Sequence, residues 1–145
     1  MAILERVDRN AVAYLTLNSP ERLNALSDEM LEALQTTFDK FHKDTSIRAV
    51  VLRGAGKAFC AGHDLKQMTE ARKQKDGGAE IFKDLFDRCA SFMQTVQNIP
   101  QPVIAQVHGI ATAAGCQLVA TCDLSLIHIS EPTRLRRISY AVFCV

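Results

Sequence analysis

Apolar and polar residues alternate from Ile3 to Val7 and again from Ala11 to Leu17, with Asp8-Arg9-Asn10 between the two runs. Period-two alternation on either side of a short polar break predicts a β-hairpin. The period then changes. After the turn-rich stretch Asn18 to Asn24, Leu31, Leu34, Phe38 and Phe41 recur at helical spacing and share one face. Ser27 stands at an N-cap position and Asp28 and Glu29 follow in the first turn, where acids suit the helix dipole. A helix is therefore predicted over residues 28–42. Ala49-Val-Val-Leu-Arg53 is a short apolar run with β-branched residues, read as a buried strand.

A loop with glycines at 54, 56 and 62 follows, then a helical turn or two from Asp64 and a polar loop over residues 73–78. Residues 79–98 repeat the amphipathic pattern. Ile81, Phe82, Leu85, Phe86, Phe92, Met93 and Val96 make the expected inner face, a Met and Phe stripe read as core. Ile99-Pro-Gln-Pro ends this helix and starts a strand over residues 102–107. After a turn at His108-Gly109, a helix of small residues begins near Ala113. Strand, helix, strand in that order builds a parallel sheet, so the expected class is α/β. Two connections, one carrying Ala61-Gly62-His63-Asp64 and one carrying Ala113-Ala114-Gly115, are expected at the same end of that sheet, where ligands of such sheets bind.

Composition narrows the function classes. At 145 residues the chain is expected to form one domain with a real core. Seventeen basic and sixteen acidic residues cancel almost completely, which removes the electrostatic case for nucleic acid or a membrane surface. Five cysteines without a CxxC pair argue against zinc and against a disulfide framework and favour a reducing compartment. The first residues carry acids and lack an apolar leader, so the expected location is the cytoplasm.

The candidate chemistry starts at Ala113-Ala114-Gly115. A helix N-terminus has unpaired N–H donors, and small residues let a ligand oxygen come near them. Close packing of a helix on a sheet asks for the same small residues. Gln106, His108 and Gln117 interrupt the apolar run and argue against a membrane span. His63 with Asp64 is too short a list for a metal site, and nothing in the spacing joins Cys60 to His108 as nucleophile and base.

Taken together, Leu23-Asn24-Ala25-Leu26, Lys57-Ala-Phe-Cys-Ala-Gly-His-Asp-Leu65, Pro102-Val-Ile-Ala with Gly109, Ala114-Gly-Cys-Gln-Leu-Val-Ala120 and Cys122-Asp123 resemble the crotonase superfamily, the enoyl-CoA hydratase/isomerase family. The Gly-His-Asp and Ala-Ala-Gly-Cys-Gln-Leu forms are most similar to its enoyl-CoA hydratase domain-containing branch. The resemblance implies a spiral of ββα units, of which residues 1–124 would be the N-terminal part. It implies an acyl-CoA or enoyl-CoA thioester as substrate and fatty-acid metabolism as setting. No cofactor beyond the substrate's own coenzyme A is implied, and a homotrimer or hexamer is. The backbone N–H groups of His63 and Ala114 would form an oxyanion hole for the thioester carbonyl; His63 serves through its N–H alone or through its imidazole as well. Ala58, Ala61 and Leu65 would line the adenine pocket, with Arg22 and Lys66 near the phosphates; without the resemblance these two are ordinary surface cations.

One departure bears on activity. The position matching Gln117 is a glutamate in the family's hydratases, and an amide orients water but takes no proton from it. Little hydratase activity is therefore expected, and a non-catalytic thioester-binding or assembly subunit is the alternative. From Ser125 onward the sequence matches no motif of the family, and Glu131 is no substitute for a second acid. This tail, residues 125–145, resembles translated adapter-like DNA at the end of a truncated reading frame. Exposed apolar surface and marginal stability are the expected consequences.

Overall fold

The computed structural model describes residues 2–127. Strands β1 (Leu4–Arg9) and β2 (Val12–Leu17) form the expected antiparallel hairpin, turned by Asn10 and Ala11, both at positive φ. A 3-10 turn at Pro20–Arg22 leads to helix α1 (Asp28–Phe41), where the Ser27 hydroxyl accepts a hydrogen bond from Met30 N–H. Strands β3 (Ala49–Gly54) and β4 (Ala58–Cys60) precede helices α2 (Leu65–Ala71) and α3 (Ala79–Asn98). Strands β5 (Val103–Val107) and β6 (Ile110–Ala111), helix α4 (Ala114–Thr121) and strand β7 (Leu124–Ile127) follow.

The main sheet runs β1-β2-β3-β5-β7, parallel except for the hairpin. Its inner face is fixed by alternation. Ala13, Leu15 and Leu17, Val50 and Leu52, and Val103, Ala105 and Val107 all point into the core. Helices α1 and α3 cover them, and Phe38 meets both Phe41 and Phe92 edge-to-face, with centroids 5.6 and 5.3 Å apart. Each fully buried aromatic of this kind contributes roughly 2–3 kcal/mol of transfer free energy.

The sequence pattern missed a second, two-stranded sheet, β4 beside β6 in parallel. Strands of three and two residues are too short to show a period. Their presence changes the architecture: β3 and β5 each hand over to a short strand in the small sheet before the next helix. The isolated bridge between Leu26 and His63 extends that sheet toward the first unit. The result is a succession of ββα units.

Helix α3 corrects one expectation. Leu85, Phe92, Met93 and Val96 are buried as expected, joined by Cys89, but Ile81 and Phe86 are 45% and 49% exposed. The first turns of α3 pack beside α2, away from the sheet, so their apolar residues line a cleft there. Strand β7 runs across the expected boundary at Leu124, and Leu124, Leu126 and Ile127 are all exposed. The rest of the 125–145 tail, including Glu131, lies outside the described residues.

Candidate functional site

The site is founded on the turn Leu23-Asn24. Both residues have φ of 53°, in the left-handed region that asparagine tolerates better than other non-glycine residues. Asn24 is fully buried, and its side chain is fully used. Its Oδ1 accepts from Ser19 N–H at 2.9 Å, and its Nδ2 donates to the carbonyls of Ala55 and Ala58, both at 2.8 Å. This rivets the turn to both ends of the β3–β4 connection.

Residues 60–63 are held from two sides. Ala61 N–H donates to Leu23 O at 3.0 Å and Leu26 N–H to Gly62 O at 2.7 Å. Opposite, Thr112 N–H donates to Cys60 O and its hydroxyl to Ala61 O, both at 3.1 Å. The two connections expected at one sheet end are thus brought together by the small sheet and by Thr112.

Glycine is required twice here. Gly62 has φ +94°, and a Cβ on it would stand 2.9 Å from Ala113 Cβ, 3.1 Å from Thr112 O and 3.2 Å from Ala114 N. A Cβ on Gly115 would collide with the Cys60 carbonyl, so α4 starts in backbone contact with β4. Ala113 holds φ 48° and ψ −126°, a region natural to glycine that costs an L-residue of order 1–3 kcal/mol. Among the described residues, no backbone carbonyl accepts the N–H of His63 or of Ala114. Gly62, which immediately precedes His63, thus lies against the start of α4.

The strand leading to the site is buried. Ala58, Phe59 and Cys60 are buried, and burial pushes the Cys60 thiol up to about 11, so it stays protonated and inert. The His63 imidazole is half-buried, edge-on to Phe86 at 5.5 Å, and burial lowers its pKa. Gln117 is exposed, one turn into α4. His108 Nε2 pairs with Gly56 O at 2.8 Å.

Asp64 is buried and serves twice. Oδ1 caps α2 through Lys66 and Gln67 N–H, and Oδ2 pairs with Arg22 at 2.9 Å. Arg22 and Lys66 both line a cleft of ≈ 470 Å³ between α2 and α3, floored by Ile81, Phe82 and Leu85. Ala58, Ala61 and Leu65 do not line it. Ala58 is enclosed in β4, Ala61 is half-buried, and Leu65 is 74% exposed on α2. Sequence reasoning missed the parts played by Asn24 and Thr112. An Asn in a turn before a helix cap was the available signal for the first, and nothing local marks the second.

Among the described residues no group of three or more His, Cys, Asp or Glu is placed to hold a metal, and no helix is long and apolar enough to cross a membrane. A family model described as "Enoyl-CoA hydratase/isomerase" matches residues 8–131. The chain belongs to this family.

Solved and curated members place it further. A crystal structure titled as an enoyl-CoA hydratase of Mycobacterium smegmatis shares 52% identity at a TM-score of 0.79, over 86% of this chain and 47% of that one. The mitochondrial enoyl-CoA hydratase domain-containing protein 3 of Xenopus laevis is 34% identical over 93% of this chain and 44% of its own length. The putative enoyl-CoA hydratase/isomerase YngF of Bacillus subtilis is 40% identical over 86% of this chain and 46% of its own. The chain spans less than half the length of these family members. Its α/β fold is the crotonase-like succession of ββα units, over the part it shares with them.

Proposed function

We propose that the chain binds an acyl-CoA thioester and polarises its carbonyl between the N–H groups of His63 and Ala114. The observation that supports this is the approach of Gly62, the residue before His63, to the start of α4, together with the lack of a backbone acceptor for the N–H of His63 or Ala114 among the described residues. Two donors that each hold one oxygen at about 2.9 Å are less than about 5.8 Å apart, a separation the Gly62 contact allows. Fixed backbone donors need no reorganisation as enolate charge develops, and losing one typically costs roughly 3–4 kcal/mol of transition-state stabilisation. The buried floor of Phe59 and Cys60 strengthens each such bond.

In this reading Arg22 and Lys66 approach the phosphates at the mouth of the α2–α3 cleft, and Ala58, Ala61 and Leu65 belong to the adenine side. The chemistry is of enoyl-CoA hydratase/isomerase type in fatty-acid metabolism, and weak, because Gln117 supplies no base. The same Gln117 favours a second reading, a thioester-binding or assembly subunit without turnover. A homotrimer or hexamer and a cytoplasmic location complete the proposal.

The test is calorimetry with a short acyl-CoA, together with the carbonyl stretching frequency of the bound thioester. Binding with a lowered frequency supports polarisation; binding with an unshifted frequency sinks it. Enoyl-CoA turnover that appears on Gln117→Glu supports the enzymatic reading, and binding without turnover in both forms supports the subunit.

A further inference from the structure

The described residues leave one polar side-chain atom of the site enclosed and unmatched: His63 Nδ1 has no hydrogen-bond partner. The other ring nitrogen, Nε2, is not enclosed. The ring stands edge-on to Phe86 at an interplanar angle of 70°, and Phe86 stacks on Phe82 with centroids 6.5 Å apart. Phe82 in turn lines the α2–α3 cleft. Phe82, Phe86 and His63 therefore form a continuous aromatic wall from the cleft to the N–H of His63.

The tautomer of His63 follows from the burial. A proton on Nδ1 would leave an N–H donor without an acceptor in an apolar setting, and the imidazolium would require that same proton. The lone-pair form at Nδ1 is the cheaper one. The proton then sits on Nε2, and burial of the ring holds it neutral in the same direction.

We infer that His63 Nε2–H is a ligand-facing donor that selects acyl groups carrying an oxygen acceptor, a keto or hydroxyl oxygen, over plain hydrocarbon chains. This rests on the thioester reading above and adds to it the class of acyl group. A hydrocarbon chain along Phe82 and Phe86 would leave Nε2–H facing apolar carbon, whereas an oxygen on the chain satisfies it. A neutral donor also disfavours no neutral ligand, while a carboxylate would ask for a cation that the wall does not carry.

The experiment compares dissociation constants of the full chain for acetoacetyl-CoA and butyryl-CoA, in the wild type, His63→Phe and His63→Gln. One neutral hydrogen bond predicts a wild-type preference of about fivefold for acetoacetyl-CoA. The ratio is expected to fall to about one in His63→Phe and to be largely restored in His63→Gln, which keeps a donor. A ratio unchanged in His63→Phe, or a wild-type ratio of one, overturns the inference and leaves thioester binding standing. If neither thioester binds the wild type, both readings fall. Nitrogen-15 NMR of the wild-type histidines is independent of how the variants fold: a proton on Nε2 alone at neutral pH supports the inference, and a proton on Nδ1 overturns it.

Discussion

Gly115 shows how one missing side chain sets the site. Its Cα hydrogen faces the Cys60 carbonyl, and that carbonyl also accepts from Thr112 N–H, so it cannot retreat. Gly115→Ala is expected to lower stability by about 2–4 kcal/mol, as overpacking against rigid backbone does; a thermal melt within a degree or two of the wild type would contradict the contact. His63 carries the pH dependence. Its folded pKa lies below the ordinary value of 6.5, so below that value the unfolded chain takes up a proton that the folded chain does not. Stability therefore falls as pH drops from 6.5 toward the folded pKa and levels off below it. His63→Phe should flatten this segment of the curve, measurable by urea titrations from pH 7 to pH 5. Histidine in Gly-His-Asp was visible in the sequence, but its enclosure by Phe86 was not, because the two residues belong to separate elements.

At the scale of elements, α2 is tied down through its cap. It has seven residues, too few to persist by propensity alone. Asp64 holds its N-terminus and is itself neutralised by Arg22. Arg22→Met strands a buried carboxylate. The cost is expected near 2 kcal/mol, below that of a fully buried pair because the arginine is partly in water. Adding Asp64→Asn, which still caps, should recover part of it; a double variant less stable than Arg22→Met would show that the charge is not what matters. The other helices were legible to different degrees. In α1 the apolar period and the Ser27 cap agreed with the packing. In α3 the period was read correctly as helix, yet Ile81 and Phe86 turn away from the core, since periodicity marks a face and not what covers it.

Across the molecule, strand register lines up Val7, Tyr14, Val51, Ile104 and Leu124 in one row on the outer face of the main sheet. None of the five is fully buried, and Val7 and Leu124 are 42% and 59% exposed. A continuous apolar row of this kind drives association. The chain is expected to self-associate on concentration, and Val51→Lys, at the centre of the row, to shift it toward monomer in sedimentation velocity. A wild type that stays monomeric across the concentration range would refute this. The sequence by itself determined the hairpin, the helices and the long strands β3 and β5, because period, caps and breakers act within a dozen residues. It also determined the family, because several motifs keep their order along the chain. The tertiary structure alone decided which loops meet. The β4–β6 pairing, the Asn24 rivet and the Gly62 approach each join residues from separate units, and their energies exist only once the backbone has brought those residues into contact.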